Sequence, residues 1–255
     1  MTQGVVRCLV GLCFALSQIQ ALAAEIQVAV AANFASPIKL IAQSFERDSG
    51  HQVTLSFGST GQLAAQIKHG APFDVLLAAD QDTPHQLAQG GWAVPSSRFT
   101  YATGHLVLWS KQPGIVDPQA DILKTANFDK LAIASPKLAP YGAAAIETLK
   151  RLGLHERLTP KIVEGAHIAQ VYQWVATGHA TLGFVALSQV YAQGRLVEGS
   201  AWRVPDHLHA PLHQDAVILK RTKQWTAAQL FLTYLKGDRA RSAMQSFGYG
   251  FGAER

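Results

Sequence analysis

Short apolar runs alternate with amphipathic segments along most of the chain. The apolar and β-branched runs predict strands over residues 26–32, 53–57, 74–79, 105–110, 131–135, 182–186 and 216–220. Segments with helical periodicity lie between them. Because parallel strands need a crossover connection, usually a helix, this alternation is typical of an α/β fold with mainly parallel strands.

The best-defined helix follows the first predicted strand. Apolar side chains recur at i, i+3, i+4 and i+7, at residues 38, 41, 42 and 45. Pro37 falls in the first turn, where its missing N–H costs nothing, and Gly50 stands just beyond the end. The pattern therefore predicts a helix that starts near Pro37 and stops before Gly50.

Two further helices are predicted from similar patterns. The spacing repeats at residues 168, 171, 172 and 175, and Gly178 stands where a left-handed C′ residue is expected. A third helix is predicted to open at Thr226, with Gln229 three residues later as in a capping box, and to run to Gly237.

No internal repeat, low-complexity tract or long charged linker divides the chain. Residues 96–104 and 205–214 are the best candidates for connections between two lobes. Two crossings imply a discontinuous first lobe, so we expect residues 25–103 and 205–255 to form one lobe and residues 104–204 the other.

The first 24 residues have the pattern of an export signal. Arg7 supplies the positive region, residues 8–16 are mostly apolar, and Ala21-Leu22-Ala23 offers a cleavage site. Both cysteines, Cys8 and Cys13, lie within this segment. After cleavage near Ala24 we expect a chain without thiols, which excludes disulfides and cysteine nucleophiles.

The net charge of the chain gives only a weak indication of its partners. The chain has 22 Lys and Arg against 17 Asp and Glu, a formal net charge of +5 over 255 residues. These charges are scattered, and an exported chain rarely meets nucleic acid, so we expect no nucleic-acid partner. A mildly basic surface that attracts small anions is the better interpretation.

One local design recurs where predicted helices begin. Small, hydroxyl-bearing or amide-bearing residues stand at these junctions, which cover residues 31–33, 58–61, 140–142 and 165–168. Each exposes unpaired backbone N–H groups and the positive end of a helix dipole, and such ends bind anions. None of them contains Lys or Arg. Taken alone, Asn33 or Thr60 would be read as a helix cap, but the combination indicates an oxyanion site built from neutral donors.

Five segments carry a family resemblance over nearly all of the chain after the export signal. They are VAVAANFASPIKLIAQSFERDSG, VTLSFGSTGQLAAQIKHGAPFDVLLAAD, LAPYGAAAIETLKRLGL, VATGHATLGFVALSQ and FLTYLKGDRARSAMQSFGYGF. The chain resembles the periplasmic molybdate-binding proteins of ABC transporters. That resemblance implies a type II periplasmic binding protein fold, in which two α/β lobes joined by a two-strand hinge close on a ligand in the cleft.

The resemblance also implies a set of ligand positions. Asn33 stands where the family usually has Ser, and Thr60, or Ser59 beside it, supplies the second junction. Backbone N–H groups of Tyr141 and Ile168 complete the set. We expect the side-chain amide of Asn33 to donate to the anion.

The chain departs from the family pattern at Ala186. Many members have a Tyr there whose hydroxyl bonds the oxyanion, and Tyr141 stands where those members have a small residue. We hypothesise that the Tyr141 hydroxyl replaces the missing donor.

These observations together predict a periplasmic receptor, not an enzyme. It would capture molybdate or tungstate and deliver it to the membrane permease of an ABC importer. We expect a monomer that needs no cofactor. Receptors for another small anion or a metal ion, such as sulfate or zinc, remain open at this point.

A secreted serine hydrolase is a remote alternative. Ser36 and Lys39 match the S-x-x-K spacing of serine β-lactamases. The companion motifs S-D-N and K-T-G are absent from the sequence. The pair also falls on what reads as a plain amphipathic helix.

Metal chemistry has two candidate patterns. His207, His209 and His213 lie close together, but only Asp206 and Asp215 accompany them, so a solvated surface is the simpler interpretation. A ferric-ion receptor would use paired tyrosines, whereas Tyr141, Tyr172 and Tyr191 stand apart. Asp80, at the end of a predicted strand, is interpreted as the cap of the next helix.

Overall fold

The computed structural model describes residues 23–251. The predicted export signal, including Cys8 and Cys13, lies outside the described residues except for its last two positions. The strands are β1 Glu25–Ala31, β2 Gln52–Gly58, β3 Val75–Leu77, β4 Phe99–Gly104, β5 Leu106–Ser110, β6 Leu131–Ala134, β7 Ile162–Gly165, β8 Leu182–Ala186, β9 Tyr191–Ala192, β10 Arg195–Leu196, β11 Ser200–Arg203 and β12 Leu212–Ile218.

The helices alternate with these strands, as the mixed α/β class requires. They are α1 Ala35–Ser49, α2 Thr60–Lys68, α3 Asp82–Gln89, α4 Asp121–Thr125, α5 Pro140–Arg151, α6 His155–Leu158, α7 Ile168–Ala176, α8 Leu187–Val190, α9 Trp225–Lys236 and α10 Asp238–Ser246. Short 3₁₀ segments cover Ala32–Phe34, Pro95–Ser97, Thr159–Lys161 and Asp206–Leu208. Within residues 23–251, no helix combines the length and apolar character needed to span a bilayer.

Two five-stranded sheets form the centres of two lobes. The first has the order β2-β1-β3-β12-β4, with β1 parallel to β2 and β3, and β12 antiparallel to β3 and β4. The second has the order β11-β5-β8-β6-β7, with β6 parallel to β7 and β8. The predicted fold class, two α/β lobes of the periplasmic binding protein type, is confirmed.

Strand periodicity distributes the core of the first lobe between the two faces of its sheet. Val75 and Leu77 pack with α1 and α9 on one face, and Leu76 and Ala78 pack with α2 and α3 on the other. Successive strand side chains point to opposite faces, so a strand covered by helices on both sides must be apolar throughout. A separate hydrophobic cluster fills the second lobe.

The chain passes between the sheets at two places. It leaves the first sheet between β4 and β5, where only His105 intervenes, and returns between β11 and β12. These strands place the ends of the crossing segments beside each other, because Gly104 pairs with Leu212. The lobe limits predicted at residues 103–104 and 204–205 remain a proposal.

The predicted helix ends are confirmed at two helices. Gly50 and Gly178 both adopt the left-handed conformation, with φ of 74° and 80°, directly after α1 and one residue after the C-cap of α7. The capping box predicted at Thr226 is wrong. Helix α9 begins at Trp225 after Gln224, and no side chain caps it, so Thr226 lies inside the first turn.

The strand predictions missed three members of the two five-stranded sheets and both strands of the two-stranded sheet formed by β9 and β10. Strands β4, β7 and β11 were not predicted, and β12 begins four residues before residue 216, where a strand was predicted to start. The segments 96–104 and 205–214, expected to be connections, contain the whole of β4 and the start of β12. In β12 the polar residues Gln214 and Asp215 are buried. Because a buried strand is predicted from apolar residues, this part of β12 was not recognised in the sequence.

Candidate functional site

The four helix-start junctions converge on one cavity between the lobes. The cavity is small, with a volume of about 10 Å³, far below the range of about 300–1,000 Å³ for pockets that hold drug-sized organic ligands. Its lining includes every ligand position expected from the sequence, and all five of these residues are buried. The lining comprises Ala31, Ala32, Asn33, Gly58, Ser59, Thr60, Ala79, Ala139, Pro140, Tyr141 and Ile168.

The second junction is held by a reciprocal cap at the start of α2. The Ser59 hydroxyl oxygen accepts from the backbone N–H of Gln62 at 3.4 Å, and the Gln62 side chain accepts from the Ser59 N–H at 3.2 Å. The hydroxyl oxygen of Thr60 accepts from the Ala79 N–H at 3.0 Å. Each hydroxyl keeps its own proton for donation, so both Ser59 and Thr60 can serve an anion in the cavity.

The third and fourth junctions offer backbone donors from the second lobe. Tyr141 is the second residue of α5, after Pro140, and Ile168 is the first residue of α7. N–H groups in a first helical turn have no carbonyl partner within the helix. Since the side chain of Ile168 is apolar, its N–H is the only donor that this residue can supply.

His167 caps α7 beside this donor. Its Nδ1 accepts from the backbone N–H of Gln170 at 3.2 Å, which requires an imidazole without a proton on Nδ1. Burial lowers the pKa of His167 from its ordinary value of 6.5, because the charged ring would lose solvation. Both observations describe a neutral histidine that caps the helix.

The first junction is anchored in an extended polar network. The side-chain amide of Asn33 donates to the Gln214 side-chain oxygen and to the Tyr249 hydroxyl, both at 3.0 Å. The backbone carbonyl of Asn33 accepts from the Ser188 hydroxyl at 2.7 Å and from the Tyr249 hydroxyl at 2.9 Å. Both N–H bonds of the amide are thus engaged within the protein. This leaves the backbone N–H of Asn33, in the 3₁₀ turn, as its donor toward the cavity.

The Tyr141 hydroxyl lies near the hinge, beside Gly104. It accepts from the Gln214 side-chain nitrogen at 3.2 Å. Ala186 is fully buried at the end of β8, where its N–H donates to the Gln189 side chain, and it does not line the cavity. The idea that Tyr141 replaces a donor at position 186 therefore remains a prediction.

Among residues 23–251, no charged side chain belongs to the cavity lining. Burial raises the pKa of the Tyr141 and Tyr249 hydroxyls well above 10, so both remain protonated donors near neutral pH. The Asp80 carboxylate caps α3 through the Thr83 N–H at 2.8 Å, as expected, and burial raises its pKa. Electrostatic stabilisation of an anion must therefore come from dipoles.

A wider cleft leads to the cavity. It has a volume of about 410 Å³ and shares Ala79, Ala139 and Pro140 with the cavity lining. Its other walls carry charges of both signs, from Asp80, Asp82, Lys137 and Glu147. The cleft therefore adjoins the cavity.

Sequence reasoning missed three residues that hold the site, Gln214, Ser188 and Tyr249. Ser188 and Tyr249 lie in segments that carried the family resemblance, whereas Gln214 does not. Gln214 is fully buried although it is polar, and its partners Asn33 and Tyr141 lie 181 and 73 residues away along the chain. No local pattern marks such a residue.

The alternative sites are not assembled. Ser36 and Lys39 lie on the exposed face of α1, and Lys39 sits 5.7 Å from the ring centroid of Phe57. The His209 ring contacts the Ala210 carbonyl, whereas His213 pairs with the Thr103 hydroxyl. Over residues 23–251, no group of three or more His, Cys, Asp or Glu side chains is arranged to hold a metal ion.

Comparisons with known proteins show to which family the chain belongs. Residues 26–250 match the family model of bacterial extracellular solute-binding proteins. The chain is 57% identical over 228 residues to a molybdate-binding protein ModA of Azotobacter vinelandii, covering 89% of this chain and 90% of the relative. It is 48% identical over 229 residues to a ModA of Rhodobacter capsulatus, covering 90% and 89%.

Solved structures show the same relationship. The structure superimposes on the periplasmic molybdate-binding protein of Azotobacter vinelandii with a TM-score of 0.87 and 40% sequence identity, covering 89% of this chain and 99% of that one. A sulfate-binding protein of Mycobacterium tuberculosis, at 12% identity and a TM-score of 0.71, shares the fold alone. The chain belongs to the family of bacterial extracellular solute-binding proteins.

Proposed function

We propose that this protein is a periplasmic receptor that captures molybdate or tungstate and delivers it to an ABC importer. The observation that carries the proposal is the uncharged cavity on which hydroxyls and helix-start N–H groups converge from both lobes. The similarity of the chain to two molybdate-binding proteins ModA, at 57% and 48% identity, supports molybdate as the ligand. The family is one of binding components, so no reaction is assigned to it.

Capture depends on the replacement of water by fixed donors. A dianion that enters a dry cavity loses its hydration, and this costs several kcal/mol unless hydrogen bonds compensate. We propose the backbone N–H groups of Asn33, Thr60, Tyr141 and Ile168 as donors, together with the hydroxyl of Thr60 or Ser59. Helices α2, α5 and α7 direct their positive ends to the same point, which adds favourable dipole interactions.

Selectivity follows from the size and neutrality of the site. Donors fixed by helix caps cannot move inward, so a smaller tetrahedral ion such as sulfate would form longer and weaker hydrogen bonds. Phosphate at neutral pH carries a proton that needs an acceptor, and no carboxylate lines the cavity. Molybdate and tungstate are nearly equal in size and charge, so we expect both to bind.

Delivery requires that the ligand selects the closed arrangement of the lobes. The two lobes already meet at the wider cleft beside the cavity, where the Gly61 N–H of α2 donates to the Leu138 carbonyl at 2.9 Å. A ligand that bonds to both lobes stabilises this arrangement and presents one surface to the permease. The proposal includes export by cleavage near Ala24, a monomer in solution, no cofactor and no nucleic-acid partner.

The proposal predicts a selective thermal shift. Purified protein lacking residues 1–24 should melt at a higher temperature with molybdate or tungstate, because a ligand bound only by the folded state stabilises it. Sulfate, phosphate and zinc at the same concentration should leave the melting temperature within about 1 °C. Calorimetric titration then measures affinity. An equal shift with sulfate would contradict the selectivity, and no shift with either metal oxyanion would refute the proposed ligand.

The second junction offers a test of which hydroxyl contacts the ion. Thr60→Ala should weaken molybdate binding by roughly tenfold, since a charged partner loses one hydrogen bond of about 1.5–3 kcal/mol. Ser59→Ala should lower the melting temperature of the ligand-free protein through loss of the helix cap, with a smaller change in affinity. Thr54→Ala, on the exposed part of β2, is the control. The opposite order of affinities for the two variants would assign the contact to Ser59.

A further inference from the structure

Gln214 occupies a position that links the lobes. It lies in the hinge strand β12, is completely buried, and stands at the irregularity where the pairing of β12 with β4 shifts between Gln214 and Asp215. Burial of a polar side chain is unfavourable unless its donors and acceptors are satisfied. The side chain of Gln214 therefore depends on the partners that surround it.

Those partners belong to both lobes. The Gln214 side-chain oxygen accepts from the Asn33 amide at 3.0 Å and from the Tyr101 hydroxyl at 2.9 Å, both in the first lobe. Its side-chain nitrogen donates to the hydroxyl of Tyr141 in the second lobe at 3.2 Å. Gln214 thus joins two of the junctions that line the cavity, one from each lobe.

These bonds also determine the direction in which the Tyr141 proton points. Because the Tyr141 oxygen accepts from the Gln214 nitrogen, its own proton must point away from that nitrogen. Because the Asn33 amide is held by Gln214 and Tyr249, the 3₁₀ turn that presents the Asn33 N–H is held in place. A single side chain thereby orients donors on both sides of the ligand.

We propose that Gln214 is a positioning residue that aligns Asn33 and Tyr141 and fastens the closed state. The inference rests on the proposed function. The bond between Gln214 and Tyr141 joins the lobes only when they meet, so it stabilises the closed state and not the open one. Its loss should accelerate ligand release and leave the rate of ligand entry unchanged.

The test compares dissociation rates of molybdate by stopped-flow tryptophan fluorescence. Gln214→Met removes the polar atoms at similar volume, and Tyr141→Phe removes only the oxygen that Gln214 contacts. Each should release molybdate roughly tenfold faster, with the association rate within about twofold of the parent, because each leaves a buried polar partner without its hydrogen bond. The double variant should resemble Gln214→Met, since the bond that Tyr141→Phe removes is already lost in that variant.

Tyr101→Phe is the matched control. It removes a hydroxyl that bonds the same Gln214 oxygen and the Ala78 carbonyl, but only within the first lobe. It should lower the melting temperature of the ligand-free protein and leave the dissociation rate within about threefold of the parent.

Each outcome decides a different point. A parent protein that does not bind molybdate refutes the proposed function itself. A binding parent with an unchanged dissociation rate in Gln214→Met, or additive effects in the double variant, refutes the role of Gln214. If Gln214→Met does not fold, the comparison of Tyr141→Phe with Tyr101→Phe decides, and equal dissociation rates refute the inference.

Discussion

Gly104→Ala should weaken molybdate binding by about 100-fold while the ligand-free protein still folds. A β-carbon at this position would lie 2.0 Å from the Tyr141 hydroxyl oxygen and 2.5 Å from the Gln214 side-chain nitrogen. Neither atom can withdraw easily, because both belong to buried side chains between the lobes. Overpacking costs about 1–3 kcal/mol, and the hydrogen bond between Tyr141 and Gln214 is lost as well. Together these costs correspond to a decrease in affinity of about 100-fold.

Calorimetric titration with molybdate measures this effect, and a melting curve without ligand reports folding. Thr103→Ala is the control, because it alters the adjacent residue of β4, whose hydroxyl pairs with His213 outside the cavity lining. It should bind molybdate within about threefold of the parent. Near-parental affinity in Gly104→Ala would show that the lobes need not meet at the hinge for tight binding.

Phe34→Ala should lower the melting temperature by roughly 10 °C. Phe34 is fully buried directly after Asn33, and its ring packs against Tyr101 and Tyr249 with centroid distances of 4.8 and 5.3 Å. Truncation of a buried Phe costs about 3–5 kcal/mol, and each kcal/mol shifts the melting temperature by about 2–4 °C at this size. Affinity for molybdate should fall as well, because the cavity left by the ring loosens the network around Asn33.

The matched control is Phe57→Ala. Phe57 lies on strand β2 at the edge of the first sheet, with 41% of its surface exposed and Lys39 over its ring. Its loss should shift the melting temperature by no more than about 3 °C. Equal shifts in the two variants, measured by differential scanning calorimetry, would contradict the assignment of Phe34 to the core that supports the site.

Local sequence patterns were sufficient to predict the helices and strands that have a clear apolar periodicity or a terminating glycine. Helix α1 was predicted from its apolar stripe and from Gly50, and β1 and β8 from continuous apolar runs that helices cover on both sides. The helix-start junctions were predicted as anion-binding features for the same reason, because unpaired N–H groups in a first turn are a property of any helix start. The α/β class followed from the alternation of these elements.

The tertiary structure decided everything that depends on residues far apart in the chain. Gln214 and Asn33 are separated by 181 residues, yet their hydrogen bond engages the amide that the sequence had suggested for the anion. Strand β12 was only partly recognised, because its buried polar residues have hydrogen-bond partners far away in the chain and do not produce an apolar pattern. Periodicity reports which face of an element is apolar. Which buried polar groups satisfy one another depends on how the lobes meet, and no local pattern records that.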